Sequence, residues 1–282
     1  MKEITEQQVP LSTAKLFHPL DEKLMELLSE LSPADWEAQT VAKKWKVKDV
    51  VAHLLDGNIR ALSLQRDKYF GTPGPKAFDW ESLVNWLNKF NNDFVDAAKR
   101  FSPQVMILLH QATGRVTSDY LSSLSPFEKS IFPVDWAGEK ESVNWFHQAR
   151  EYTEKFLHQQ QIRDAVQKPG IMTVEFFQPF IGTFMYALPY TYRETKADEG
   201  TVVRVTVTTE IGGSWNLMMM DQQWQLLANH SGDADAEVMI EPDIAWKLFS
   251  KSSRPHEIRS QVTINGKQQL GEVALNMISV MA

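Results

Sequence analysis

Seven histidines and no cysteine leave this chain few ways to do chemistry. Glu154 and His158 stand four apart in Arg150-Glu-Tyr-Thr-Glu154-Lys-Phe-Leu-His158, so on a helix their side chains share one face, a single turn apart. Far upstream, Trp45-Lys-Val-Lys-Asp-Val-Val-Ala-His53-Leu offers a second imidazole, His53, from another helix. Two nitrogens and one carboxylate bind a divalent cation while leaving positions open for water or substrate. Without cysteine, any metal must sit on His, Asp and Glu. The same absence removes a cysteine nucleophile.

The same residues have ordinary readings. His147, Glu151, Glu154 and His158 follow one another at spacings of four, three and four, within about 60° of helical arc, which also describes the wet face of an amphipathic helix. Against that, Trp145, Ala149, Tyr152 and Phe156 lie nearly opposite, and Val143, Leu157, Ile162 and Ala165 flank the polar strip, so the helix looks covered on both sides. His147 with Glu151 repeats the His/Glu spacing and rivals the lower pair. His53 adjoins core Leu54 and reads equally as a partly buried histidine. Asp49, one turn before His53, suits either the orientation of a metal-bound imidazole or the positive N-terminal end of a helix. His110 lies in an apolar stretch, and His18, His230 and His256 adjoin breaks or loops. No Gly-rich phosphate loop, Gly-x-Ser-x-Gly elbow or His-Glu-x-x-His motif is present.

The elements that must position these residues are mostly helical. Leu16, Leu20, Leu24, Leu27, Leu28 and Leu31 predict a first helix, ended by Ser32-Pro33. Val47, Val50, Val51 and Leu54 predict a second. A third starts near Asp79 beyond the Gly71-Thr-Pro-Gly-Pro75 loop, a fourth runs from Pro103 to about Leu124, and a fifth spans roughly Ser142 to Val166. Segment 174–193 has helical spacing interrupted by Pro179 and Pro189. Beyond residue 200 the pattern alternates: strands at Val202–Val207, Trp215–Met220, Trp224–Leu227, Ala236–Ile240 and Gln261–Ile264, with a helix after Pro242 and a last one from Leu270 through Met277. The fold class expected is therefore α plus α+β: a helical bundle over 1–170 and a smaller α+β domain over 171–282.

Bulk properties narrow the partners. A formal charge of −7 argues against non-specific nucleic-acid or anionic-membrane binding. No apolar stretch is long enough for a membrane helix, and Met1-Lys-Glu-Ile-Thr-Glu6 lacks an apolar leader core, so the cytoplasm is the expected location.

Leu31-Ser-Pro-Ala-Asp-Trp36 followed by Trp45, Val47, Asp49 and His53 resembles the N-terminal domain of mycothiol-dependent maleylpyruvate isomerases, within the wider DinB/YfiT-like superfamily of metal-binding four-helix bundles. Glu154 and His158, with Asp164 standing for an Asp-containing turn, match the second half of the pattern. The resemblance implies His53, Glu154 and His158 as ligands of a divalent metal, commonly zinc, with Ni, Fe, Co or Mn also suited to such donors. It selects Glu154 over Glu151 and demotes His147. Ala234-Asp-Ala-Glu-Val-Met-Ile-Glu-Pro-Asp and Val262-Thr-Ile-Asn-Gly resemble the family's companion domain, of sterol-carrier-protein-2 (SCP2) type. There, Arg254, taken as the cofactor-binding candidate, is the nearest counterpart of the family's arginine that helps hold the substrate carboxylates, although Ser253-Arg254 stands where a Gly-Arg pair is expected. The implied activity is metal-dependent use of a low-molecular-weight thiol on a small electrophile, as transferase or isomerase, by a monomer or homodimer. A non-catalytic protein binding a metal or a small apolar ligand is the alternative.

Overall fold

A computed structural model describes residues 9–75, 79–227 and 230–280; Met1–Glu6 lies outside the described residues. A 3-10 turn, Ala14–Leu16, leads into α1 (Phe17–Ser29), and a short α2 (Pro33–Trp36) follows. Ser32 and Asp35 close α2 reciprocally: each side chain accepts the other's backbone N–H. Next come α3 (Val47–Arg60), continued by a π-helical segment Ala61–Arg66, then α4 (Trp80–Ala98), α5 (Pro103–Ser122), α6 (Asn144–Val166), α7 (Val174–Met185) and α8 (Leu188–Tyr192). Asp79, Ser102 and Thr173 cap α4, α5 and α7 through their side-chain oxygens. The rest comprises β1 (Val202–Val207), β2 (Gly213–Met220), β3 (Gln223–Leu227), β4 (Ala236–Ile240), α9 (Pro242–Phe249), α10 (Pro255–Ile258), β5 (Thr263–Gly266) and α11 (Gln268–Ala274).

In the sheet the strand order is β3-β2-β1-β4-β5, with β1 and β4 parallel and the other neighbours antiparallel. Val205 sits opposite both Trp215 and Val238, and Val203, Val205 and Val207 point into the core on alternate positions. The helical N-terminal part and this small mixed sheet with its helices are the architecture the sequence pattern implies.

Three expectations shift. The interruption in 174–193 falls at Tyr186–Ala187 rather than at Pro179, which α7 accommodates; the Pro179 carbonyl is taken by the Thr183 hydroxyl at 2.8 Å. The strand expected at Gln261–Ile264 starts later, at Thr263, because Arg259–Gln261 forms a 3-10 turn. Asn265-Gly266 closes the strand, with Gly266 at φ 77° against the Asp235 carbonyl, where a Cβ would collide. The last helix ends at Ala274, short of Met277.

The centre of the molecule is α6. Its residues are buried around most of the circumference, from Phe146, Tyr152 and Phe156 on one side to Gln159, Gln161 and Ile162 on others. Phe156 stacks on Phe180 of α7 at 4.3 Å between ring centroids. From there one apolar cluster continues through Phe177 and Phe184 to Val203, Val205 and Leu217 of the sheet and Trp246 and Phe249 of α9, so the core crosses the Pro169-Gly170 turn. Lys247 of α9 also pairs with Asp164 of α6 at 3.0 Å. A second cluster, inside the helical part, joins Leu24, Leu27 and Leu28 of α1 to Val47, Val50, Val51 and Leu54 of α3, Met106 of α5 and Ile162 of α6. None of the described helices is long and apolar enough to cross a membrane.

Candidate metal centre

Burial of Val47, Val50, Val51 and Leu54 fixes the rotation of α3, and His53, just off that stripe, is thereby turned toward α6. On α6, Tyr152 and Phe156 are held in the main core, which leaves Glu154 and His158 facing α3. The His53 and His158 rings meet edge to face at 4.5 Å between centroids. One ligand atom from each of His53, Glu154 and His158 lies within 4.8 Å of the other two. Trp45 covers the pair, its ring 4.9 Å from that of His53 and 6.4 Å from that of His158.

The donor set fits a divalent cation on three counts. The His158 Nε2 to Glu154 Oε2 separation is 3.4 Å. That is long for a hydrogen bond, but near the spacing, about 3.4 Å, of two ligand atoms each ~2.1 Å from one tetrahedral ion. His53 Nδ1 is buried with no hydrogen-bond partner among the described residues, an arrangement that costs free energy unless something else fills it. Burial, reinforced by His158 and Arg60, also pushes the His53 imidazole well below its ordinary pKa, keeping it a neutral donor.

The second nitrogens answer the question Asp49 left open. Asp49 accepts the Lys46 backbone N–H at 3.0 Å and so caps α3; it serves the helix end. His158 is oriented instead by Gln161, whose Oε1 accepts from Nδ1 at 2.9 Å and leaves Nε2 its lone pair. Gln161 was legible only as an i+3 neighbour, one glutamine in the run Gln159-Gln160-Gln161. Asp164, matched above to a turn, lies in the last turn of α6, where it meets Lys247.

The rival pair has a different fate. His147 is fully buried; Arg150 donates to its Nδ1 at 2.6 Å, and its Nε2–H donates to Gln65 Oε1 at 2.9 Å. Burial and the adjacent Arg150 lower its pKa to about 4. Burial alone would raise the Glu151 carboxyl, but Arg150, His147 and Arg60 outweigh it and hold it low. Arg150 hydrogen-bonds Glu151 at 2.9 Å.

Of the remaining candidates, His110 is buried with Nε2 on the Val51 carbonyl at 3.0 Å, and His18 pairs with Asp119 near the surface at 2.8 Å. Arg254 is exposed at the start of α10. Its backbone N–H donates to Glu257, and its guanidinium makes no ion pair among the described residues. Glu257 is held below its usual pKa mainly by that hydrogen bond.

Comparison with known proteins follows the same lines. A crystal structure of the mycothiol-dependent maleylpyruvate isomerase is 12% identical, with a TM-score of 0.54, covering 89% of this chain and 91% of that one. A histidine-to-alanine variant of the mycothiol-dependent maleylpyruvate isomerase is similar to the same extent, at 11% identity and a TM-score of 0.54. At such identities the likeness speaks for the fold alone, which it spans in both its helical and sheet-containing parts. The ubiquinone synthesis protein UbiJ-SCP2 is 28% identical over 36% of this chain and 91% of its own, at a TM-score of 0.25. No curated protein matches the chain. Residues 17–163, more than half of the chain and all of the segment that carries the trio, match the family model of the mycothiol maleylpyruvate isomerase N-terminal domain. The chain belongs to that family.

Proposed function

We propose that this protein holds a divalent metal on His53, Glu154 and His158 and uses it with a low-molecular-weight thiol to modify or isomerise a small electrophile. The observation that carries the reading is the meeting of two imidazoles and one carboxylate, one of the imidazoles, His53, having a buried Nδ1 with no hydrogen-bond partner among the described residues. A divalent metal bound there would supply a Lewis acid that lowers the pKa of a coordinated thiol or water. The chain's own residues prepare that step. His53 is kept neutral, Gln161 fixes the His158 tautomer, and Trp45 shields both rings from water. Glu154 is the most exposed of the three, its side chain 39% accessible, so the open side of the site lies toward it. Having no cysteine, the chain must receive its sulfur nucleophile from outside.

Membership of a thiol-dependent isomerase family makes mycothiol the first thiol to test and maleylpyruvate the first electrophile. Zinc is the first metal, followed by nickel, iron, cobalt and manganese. On this reading Arg254 approaches the electrophile from the C-terminal side, and the protein works in the cytoplasm. The binding-protein alternative draws less support from the C-terminal region. Its interior is filled by Tyr192, Trp246 and Phe249, and a groove of about 630 Å³ there is lined by polar residues such as Lys196, Asp198, Lys267 and Gln268.

Metal analysis of the purified protein is expected to give one equivalent. Metal-loaded protein should then consume a thiol and an electrophile together. Stoichiometric metal with no turnover across the bacterial thiols would return the non-catalytic reading.

A further inference from the structure

Arg60 of α3 lies level with the Glu151–Glu154 stretch of α6, because Asn58 meets Lys155 and Gln65 meets His147 across the antiparallel pair. It lies seven residues after His53 on α3, and a long helical side chain leans toward the helix N-terminus, back toward His53. The structure shows this lean: Arg60 Nε is 3.0 Å from Asp56 Oδ2, one turn earlier. Its guanidinium sits over the Phe90 ring of α4, 5.3 Å from the centroid. It is close enough to His53 and Glu151 to act on the charge of both. Asp56 occupies only the Nε side. That contact is an ion pair without a hydrogen bond at Nε, no hydrogen bond of the guanidinium occurs among the described residues, and the side chain keeps 26% of its surface accessible. A planar fork with two free N–H groups beside an open metal site matches a carboxylate.

The local charges make this recognition conditional. Asp56 balances Arg60, Glu151 balances Arg150 and Asp21 balances the buried Lys155, so with neutral histidines Glu154 leaves the site one unit negative, which disfavours an anion. A dication on the trio reverses the sign. We propose that Arg60 is the specificity-determining residue of this site: it binds a carboxylate on the small molecule that occupies the open face of the metal trio, and does so only once the metal is present. The inference rests on the metal assignment above and adds to it a ligand class and the residue that selects it.

The test uses the full-length chain loaded with Co²⁺, whose uptake is measured before any ligand is added. Titration with 2-mercaptoethanol and with 3-mercaptopropionate is followed by the sulfur-to-cobalt charge-transfer absorption. The wild-type protein should prefer 3-mercaptopropionate by roughly tenfold to hundredfold, the range of one charge-assisted, bidentate contact. In Arg60→Gln the preference should vanish while cobalt stoichiometry and the affinity for 2-mercaptoethanol stay unchanged. Arg60→Lys, which keeps the charge but not the fork, should recover only part of it.

A second arm adds propionate to protein already carrying 2-mercaptoethanol. An Arg60-dependent change in the cobalt ligand-field bands, with the sulfur band intact, assigns the carboxylate to a second molecule, the electrophile. Preference confined to the mercaptocarboxylate assigns it to the thiol. Equal affinity for the two thiols together with no response to propionate overturns the proposal. So does a preference that survives in Arg60→Gln, since chelation of cobalt by the ligand alone would produce it. A chain that takes up no cobalt overturns the metal assignment, and the inference with it, before any thiol is tested.

Discussion

Two His/Glu pairs lie on one face of α6 at the same spacing, and the fold has made them into opposite things. His147 and Glu151 are sealed into a network with Gln65 and Arg150, every polar atom of the imidazole occupied. Glu154 and His158, about two turns further on, keep a free Nε2 and an accessible carboxylate, and His53 arrives across from them with an Nδ1 unpartnered among the described residues. The difference comes from what faces each pair. The π-helical segment after α3 sends Gln65 to His147, whereas the preceding turns of α3 send an imidazole to His158. A His/Glu pair on a helix is therefore a ligand pair only where the opposing element brings another donor in place of a hydrogen-bond partner.

The sharpest way to break this comparison is to remove one histidine from each pair. His158→Ala should reduce bound metal from one equivalent to near none by elemental analysis, with stability little changed. His147→Ala should keep the metal and lose about 2–4 kcal/mol in urea unfolding, because Arg150 and Gln65 are left without their buried partner. Retained metal in the first variant, or lost metal in the second, would exchange the roles of the two pairs.

Acid probes the two sealed histidines directly. His110 and His147 have pKa values lowered to about 4, His110 chiefly by burial. An unfolded chain protonates both near 6.5 while the folded protein refuses the proton, so the stability they contribute is complete above pH 6.5 and is lost as pH falls toward 4. Each loss is of order 3 kcal/mol for a shift of this size. Urea midpoints measured across that window should fall steeply, and His147→Gln should flatten the slope; an unchanged slope would deny the burial of this imidazole.

A smaller effect is expected from the two glutamines that orient the histidines. Gln161→Leu should weaken metal binding about 10- to 100-fold in a chelator competition, as loss of an orienting hydrogen bond does. Gln65→Leu should leave metal affinity alone and cost about 1–3 kcal/mol of stability. Smallest of all, Asp49→Ala should cost about 0.5–2 kcal/mol in thermal unfolding and leave the metal Kd in place, since its carboxylate caps α3. A fall in metal affinity here would restore Asp49 as the residue that orients His53.

Much of this was legible in the sequence. Leucine and valine periodicity located α1 and α3 to within a few residues, because each buries one continuous stripe, and the Gly/Pro loop and the Ser-Pro break helped to bound α4, α5 and α6. The switch to alternation after residue 200 located the first four strands for the analogous reason. Less visible were the short α2 and α10, which local caps create, and the displaced β5, whose start is set by pairing of Ile264 with Val238. At the site, residue types and helical spacing gave both His/Glu pairs equally, and the choice between them came from family resemblance. Gln161, Gln65 and Arg60 carried no signal of their own, since a glutamine or arginine in a helix is ordinary until its neighbour across the interface is known.

The sequence by itself determined that the chain folds as helices followed by a small sheet, and that any metal must be held by nitrogen and oxygen. Those follow from periodicity and from the absence of cysteine, which are properties of neighbours along the chain. Only the tertiary structure decided which histidine is sealed and which is open, that Gln161 rather than Asp49 orients an imidazole, and that Arg60 lies level with the Glu151–Glu154 stretch of α6 with its fork free. These depend on the rotation of α3 against α6, set by how Val47, Val50, Val51 and Leu54 pack, and contacts of that kind join residues far apart in sequence.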